Sequence, residues 1–117
     1  MMTTGARVLA EMLDGYGVTH LFHVPAVLRR TMVELEEHTS IKRLRPHGEK
    51  PAAYMADGYA RASGRPGICA AQVVGAHNLA AGLRDAYLAA LKMLARRELS
   101  EAQVRQRAGR LVLLQGR

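Results

Sequence analysis

The feature that most constrains this chain is an alternation of short strand-like runs with longer stretches of helical period. Residues 18–24 and 68–74 are apolar runs, and residues 41–45 form a shorter, strongly basic one. Before the first run, Thr3 or Thr4 can cap a helix with Val8, Leu9, Met12, Leu13 and Tyr16 on one face, ended by Gly15 and Gly17. Pro25 stops the first run. A second helix is expected over 26–38, with Val27, Leu28, Thr31, Met32 and Leu35 together. Residues 75–78 should turn the chain after the third run, with Asn78 capping a helix that buries Leu79, Leu83, Ala86, Tyr87, Ala90, Leu91 and Leu94. The order α-β-α-β-α-β-α implies parallel strands joined by helical crossovers in an open α/β sheet. Such sheets bind ligands at the carboxyl ends of their strands. Glu49 and the 75–78 turn each follow a strand-like run, so both belong at that edge.

Between the second and third runs lies the most informative stretch. Pro51 suits a first helical turn, and Ala52, Ala53, Met55, Ala56, Tyr59 and Ala60 recur at helical spacing as a small-residue face. Asp57 and Arg61 make an i,i+4 pair on the other side, and Gly64 with Pro66 ends the helix. Glu49 therefore sits at the mouth of a helix, where its plain reading is an acid favoured by the macrodipole.

At 117 residues, 49% hydrophobic and 23% charged, the chain is one domain with a modest core. No apolar run approaches membrane-spanning length, and the start lacks a signal peptide's apolar segment. The one cysteine, Cys69, has no internal disulfide partner and reads as a buried thiol; a reducing, cytoplasmic compartment is the expectation. The net charge of +7 invites a nucleic-acid reading, with much of the excess at Arg96, Arg97, Arg105, Arg107, Arg110 and Arg117. Without Trp, and with one Phe, the chain offers little for base stacking, so a solvated basic tail is the simpler account. The five histidines lack metal-ligand spacing, and no metal site is expected. His23, His47 and His77 do lie near strand ends, where one could touch a substrate.

The stretch Glu49…Ala53…Ala56-Asp57-Gly58-Tyr59-Ala60-Arg61…Gly64-Arg65-Pro66-Gly67 resembles the N-terminal pyrimidine-binding (PYR) domain of thiamine-diphosphate enzymes of the acetolactate synthase and benzoylformate decarboxylase type. The resemblance runs over about residues 4–90. Gly15-Tyr16-Gly17-Val18 and Phe22-His23-Val24-Pro25-Ala26 are similar to the family's G-V strand and F-G-V-P-G loop, with both loop glycines replaced, by His23 and Ala26. Asn78-Leu79 through Gly82-Leu83 to Asp85-Ala86-Tyr87 is similar to its N-L-x-x-G-L-x-D-A-Y helix, while Val73-Val74-Gly75 stands for the usual G-P-G turn.

The resemblance implies that Glu49 is the catalytic acid that hydrogen-bonds N1′ of the cofactor's aminopyrimidine. It also implies that Pro25, Ala26, Gly75 and Asn78 join Glu49 around thiamine diphosphate, with Val24 on the neighbouring wall. The implied substrate is a 2-keto acid. The implied partner is a second copy or a separate diphosphate-binding subunit, holding the diphosphate and Mg2+ through a domain absent from this chain. The expected organisation is a PYR-like domain over 1–90 and a divergent basic tail over 91–117, with a short helix from Ser100 and a final strand over 111–117. A truncated, rearranged or split gene product, inactive alone, is the expectation. Two other readings stand beside it. One is a non-catalytic dimerisation domain using the helix face of Ala52, Met55, Ala56 and Tyr59; the other is a nucleic-acid binder using the tail from Arg96.

Overall fold

The computed structural model describes residues 3–25, 27–95 and 111–116. The elements follow as α1 (Gly5–Gly15), β1 (His20–His23), α2 (Arg29–His38), β2 (Lys42–Leu44), α3 (Glu49–Ser63), β3 (Gly67–Gln72), α4 (Gly75–Ala95) and β4 (Leu111–Gly116). All four strands are parallel, in the order β2-β1-β3-β4. The chain leaves β1 for β2 on one side and returns across β1 to β3 on the other. This reversal places a crevice at the carboxyl ends of β1 and β3.

Local chemistry sets the element ends. Thr4 caps α1, its Oγ1 accepting from the Arg7 N–H at 3.2 Å. At the other end the Gly17 N–H bonds the Asp14 carbonyl and the Val18 N–H bonds the Leu13 carbonyl, which is a Schellman closure around Gly17 at φ 73°. The Val18 amide is thereby spent on the helix, so β1 starts two residues later than the run of apolar residues predicts. The helix expected from residue 26 starts at Arg29. Leu28 adopts a left-handed φ of 45°, and Val27 enters the core at 3% exposure. The left-handed residue costs about 1–2 kcal/mol, offset by an apolar side chain whose full burial contributes a similar amount. Asn78 does not cap α4: the helix begins at Gly75, after a turn at Val73 and Val74, and Asn78 lies exposed in its first turn.

Two cores lie on opposite faces of the sheet, divided by the period-2 alternation of β1 and β3. Leu21, Ile68 and Ala70 join Ala10 and Leu13 of α1, Met32 and Leu35 of α2, and Val27 and Ile41. Phe22, Cys69 and Ala71 join Ala52, Ala53 and Ala56 of α3 and Leu79 of α4. In this second layer the backbones approach closely. A Cβ on Gly67 would overlap the Ala56 carbonyl, 2.6 Å from its carbon. The alanine face of α3 is thus committed to the interior: Ala52 and Ala56 are fully buried, so they are not available as the exposed dimerisation face the sequence suggested. Of that expected face Met55 is exposed, as is Tyr54, which was not part of it. Among the described residues, no helix is long and apolar enough to cross a membrane.

Candidate functional site

At the carboxyl edge the sheet delivers three connections to one place. β1 ends at His23 and runs into Val24 and Pro25; β2 ends at Leu44 and leads through Arg45, Pro46 and His47 to Glu49; β3 ends at Gln72 and leads to Gly75. Glu49 is the first residue of α3 and the acid of its first turn, facing the positive end of the helix. Pro51 follows within that turn, and the Ala52 N–H makes the first helical bond to the Gly48 carbonyl at 3.2 Å.

The decisive contact crosses from α3 to α4. The Glu49 carboxyl lies against Gly75, which is buried: a Cβ there would overlap Oε1 and come within 2.8 Å of Cδ and Cγ. Glycine at this position is what lets the acid occupy the start of α4, beside the end of β3. Glu49 itself is half-buried, so its carboxyl is held by the fold and still reachable from outside. α3 and α4 are also tied on their outer sides, where the Tyr54 hydroxyl donates to Asp85, and that bond pushes the phenol's pKa up. Asp57 takes Arg61 at 2.8 Å as the i,i+4 pair the sequence predicts.

The structure brings Glu49 and Gly75 together. Pro25 is exposed at the β1 end, Asn78 is exposed on α4, and Ala26 lies outside the described residues. Of the three histidines near strand ends, His23 is buried and His47 and His77 are exposed. The His23 Nδ1 lies 3.2 Å from the Val24 carbonyl, to which it donates, and burial together with the charges of Arg43 and Arg45 lowers its pKa. Cys69 is buried in the α3 layer, which pushes its thiol up to about 11 and leaves it protonated at neutral pH. Among the described residues no three His, Cys, Asp or Glu side chains gather as metal ligands.

The sequence reading missed two features. A cavity of about 300 Å³ lies between α2 and the ends of β1 and β2, lined by basic side chains; the Lys42-Arg43-Leu44-Arg45 run was its only signal. At the opposite, amino edge, Thr19 Oγ1 bonds both Tyr59 Oη and His20 Nδ1, the latter at 2.9 Å. That cluster borders a larger apolar cavity of about 740 Å³ lined by Met12, Tyr16, Val18 and Pro66 among others. Its position away from the strand carboxyl ends separates it from Glu49.

A parallel sheet whose strand order reverses at β1, with a helix-start acid seated on a glycine of the next crossover, is an open α/β domain of the class whose ligands bind at the carboxyl edge. The comparisons narrow the class. A family profile described as "Thiamine pyrophosphate enzyme, N-terminal TPP binding domain" matches residues 3–105, and the chain belongs to that family. It is 39% identical over 93 residues to the chloroplastic acetolactate synthase of Arabidopsis thaliana, covering 78% of this chain and 14% of that protein. It is 38% identical over 97 residues to an acetolactate synthase of Arthrospira platensis, covering 79% and 17% respectively. A probable 2-ketoarginine decarboxylase of Pseudomonas aeruginosa is 33% identical over 92 residues, with 78% of this chain and 16% of the relative covered. The chain therefore spans less than a fifth of the length of these relatives.

Proposed function

We propose that this chain is the pyrimidine-binding part of a thiamine-diphosphate enzyme acting on a 2-keto acid, and that Glu49 is its catalytic acid. The observation that carries this reading is the Glu49 carboxyl held against Gly75 at the carboxyl edge of the sheet. The residues suit an aminopyrimidine: one half-buried, reachable carboxyl stands at a helix start, seated in the space that a side chain at the neighbouring Gly75 would otherwise fill. Thiamine diphosphate, when bound, supplies a carbon nucleophile and an electron sink to the substrate.

The chain's own contribution is positional. Glu49 would share a proton with ring nitrogen N1′, and its fixed place at the α3 start keeps that hydrogen bond aligned. Pro25 and Ala26 from the β1 connection, and Gly75 and Asn78 from the α4 start, would flank the ring. The diphosphate and Mg2+ would be gripped by a second subunit, either another copy in a homodimer or a separate diphosphate-binding chain. PYR character is assigned to residues 1–90 and a divergent tail to 91–117; the helix expected from Ser100 and the tail arginines from Arg96 to Arg110 lie outside the described residues.

Calorimetric titration with thiamine diphosphate and magnesium tests this, first on the chain alone and then with a separately expressed diphosphate-binding domain. Binding in the mixture that disappears in Glu49→Ala supports the reading; no binding in either case by a folded chain overturns it. A second reading, an interaction domain without catalysis, is favoured by the exposure of Tyr54, Met55, Tyr87 and Leu88 on α3 and α4. Glu49→Gln separates the two, because self-association would survive it and cofactor activation would not.

A further inference from the structure

Pro25 borders the basic cavity beside α2, but its charged side chains are not used by the cofactor reading, and their chemistry is specific. Arg29 comes from the first turn of α2, Arg43 from β2, Arg45 from the residue after β2, and His23 from the end of β1. Glu36 is the one acidic side chain in the lining, so three guanidinium groups face one carboxylate. Arg43 is fixed in place: its Nη1 donates to the Met32 carbonyl at 3.1 Å and pairs with Glu36 at 2.9 Å. Arg29 and Arg45 are exposed and make no ion pair among the described residues. The half-open cavity of about 300 Å³ is sized for a compact group rather than a polymer.

Position separates this cavity from Glu49. It is built on the α2 side of the sheet, whereas Glu49 and Gly75 belong to the α3 and α4 side. His23 stands where the family resemblance calls for glycine, so the ring adds a polar group to a wall that would otherwise be bare backbone. It is 5% exposed, and its Nδ1 is engaged by the Val24 carbonyl. The geometry points to a second site, for a compact oxyanion carried as a phosphate or a carboxylate group, held by Arg29, Arg43 and Arg45 with His23 at its floor. Guanidinium forks match the paired oxygens of both groups. The burial and cationic neighbours that lower the His23 pKa fit this view, because a bound anion would offset the charges of Arg43 and Arg45.

The test is titration of the folded 117-residue chain with inorganic phosphate, with succinate, and with chloride at matched ionic strength. Binding is read by calorimetry and by the ring signals of His23 and His38 in NMR spectra. Phosphate or succinate should bind saturably and shift His23 while leaving His38 in place; whichever binds more tightly identifies the oxyanion. Arg45→Ala and Arg29→Ala remove exposed side chains and should keep the fold, checked by circular dichroism. Each should weaken binding about tenfold. Arg65→Ala, at the opposite edge of the sheet, should not. Binding no stronger than chloride, equal shifts at His23 and His38, or equal losses in Arg45→Ala and Arg65→Ala would each overturn the assignment. The test does not involve thiamine diphosphate, so its failure is distinguishable from failure of the cofactor reading.

Discussion

The two layers covering this sheet are built from opposite materials. On the α1–α2 face the core uses Leu13, Leu21, Met32, Leu35, Ile41 and Ile68, side chains that hold the helices off the strands. On the α3–α4 face it uses Ala52, Ala53, Ala56, Ala71 and Cys69, with Phe22 and Leu79 the large members. The bulky layer gains its stability from area removed from water. The small-residue layer gains little area per residue and instead lets backbones touch, as Gly67 does against Ala56. That closeness also seats the Glu49 carboxyl against Gly75. The bulky layer leaves room between α2 and the strand ends, where the basic cavity forms. Precision of placement comes from the tight layer and a half-open basic cavity from the bulky one.

Substitutions that exchange the two materials should break this contrast. The largest effect is expected from Gly67→Ala, which forces a methyl into the Ala56 backbone carbonyl, an obstacle that cannot rotate aside. A loss of more than about 3 kcal/mol is expected, read as a collapse of the urea midpoint or failure to unfold cooperatively. Leu35→Ala, in the fully buried centre of the bulky layer, should cost about 3 kcal/mol by leaving a cavity, measured the same way. A result near zero for either would mean that its layer repacks, and the division of roles would fail. Truncation in the tight layer should be much milder: Ala56→Gly should cost about 1 kcal/mol, mostly from helix propensity.

His23 offers a finer test. Its pKa lies below the ordinary histidine value of 6.5 because it is buried and faces Arg43 and Arg45. The folded protein therefore binds fewer protons than the unfolded chain as pH falls through 6.5. Stability should be level above that point and decline below it, down towards the folded-state pKa. Urea midpoints at about pH 7.5 and about pH 5.5 would show the decline, and His23→Gln should reduce it. A small effect is also expected of Met32→Leu, a volume-conserving swap in the bulky layer, which should cost less than about 1.5 kcal/mol by urea midpoint.

Much of the fold was legible because its signals are local. The cap at Thr4, the glycine stop after α1, the Asp57–Arg61 pair and the Gly64 terminus depend on residues within a turn of one another. The parallel α/β class followed from the alternation of elements. What failed was also local in origin. A helix from residue 26 ignores the pull of the core on Val27, and a cap at Asn78 ignores that the chain can turn at Val73 and Val74 and begin its helix at Gly75. Glu49 stood out through its place before an alanine-rich helix. His23 was noted for its place near a strand end, but its grouping with Arg29, Arg43 and Arg45 was not legible, because no spacing rule links residues on three different elements.

The sequence by itself determined that strands and helices would alternate, which side chains of β1 and β3 face opposite ways, and that Glu49 and Gly75 would lie at the carboxyl edge. Periodicity and chain order are sufficient for those. Only the tertiary structure decided that β1 stands between β2 and β3, that α3 approaches α4 closely enough to lay a carboxyl on a glycine, and that basic residues from separate elements enclose one cavity. Those outcomes depend on how side chains of different size set the distance between layers, and that distance is a property of packed pairs that no single segment encodes.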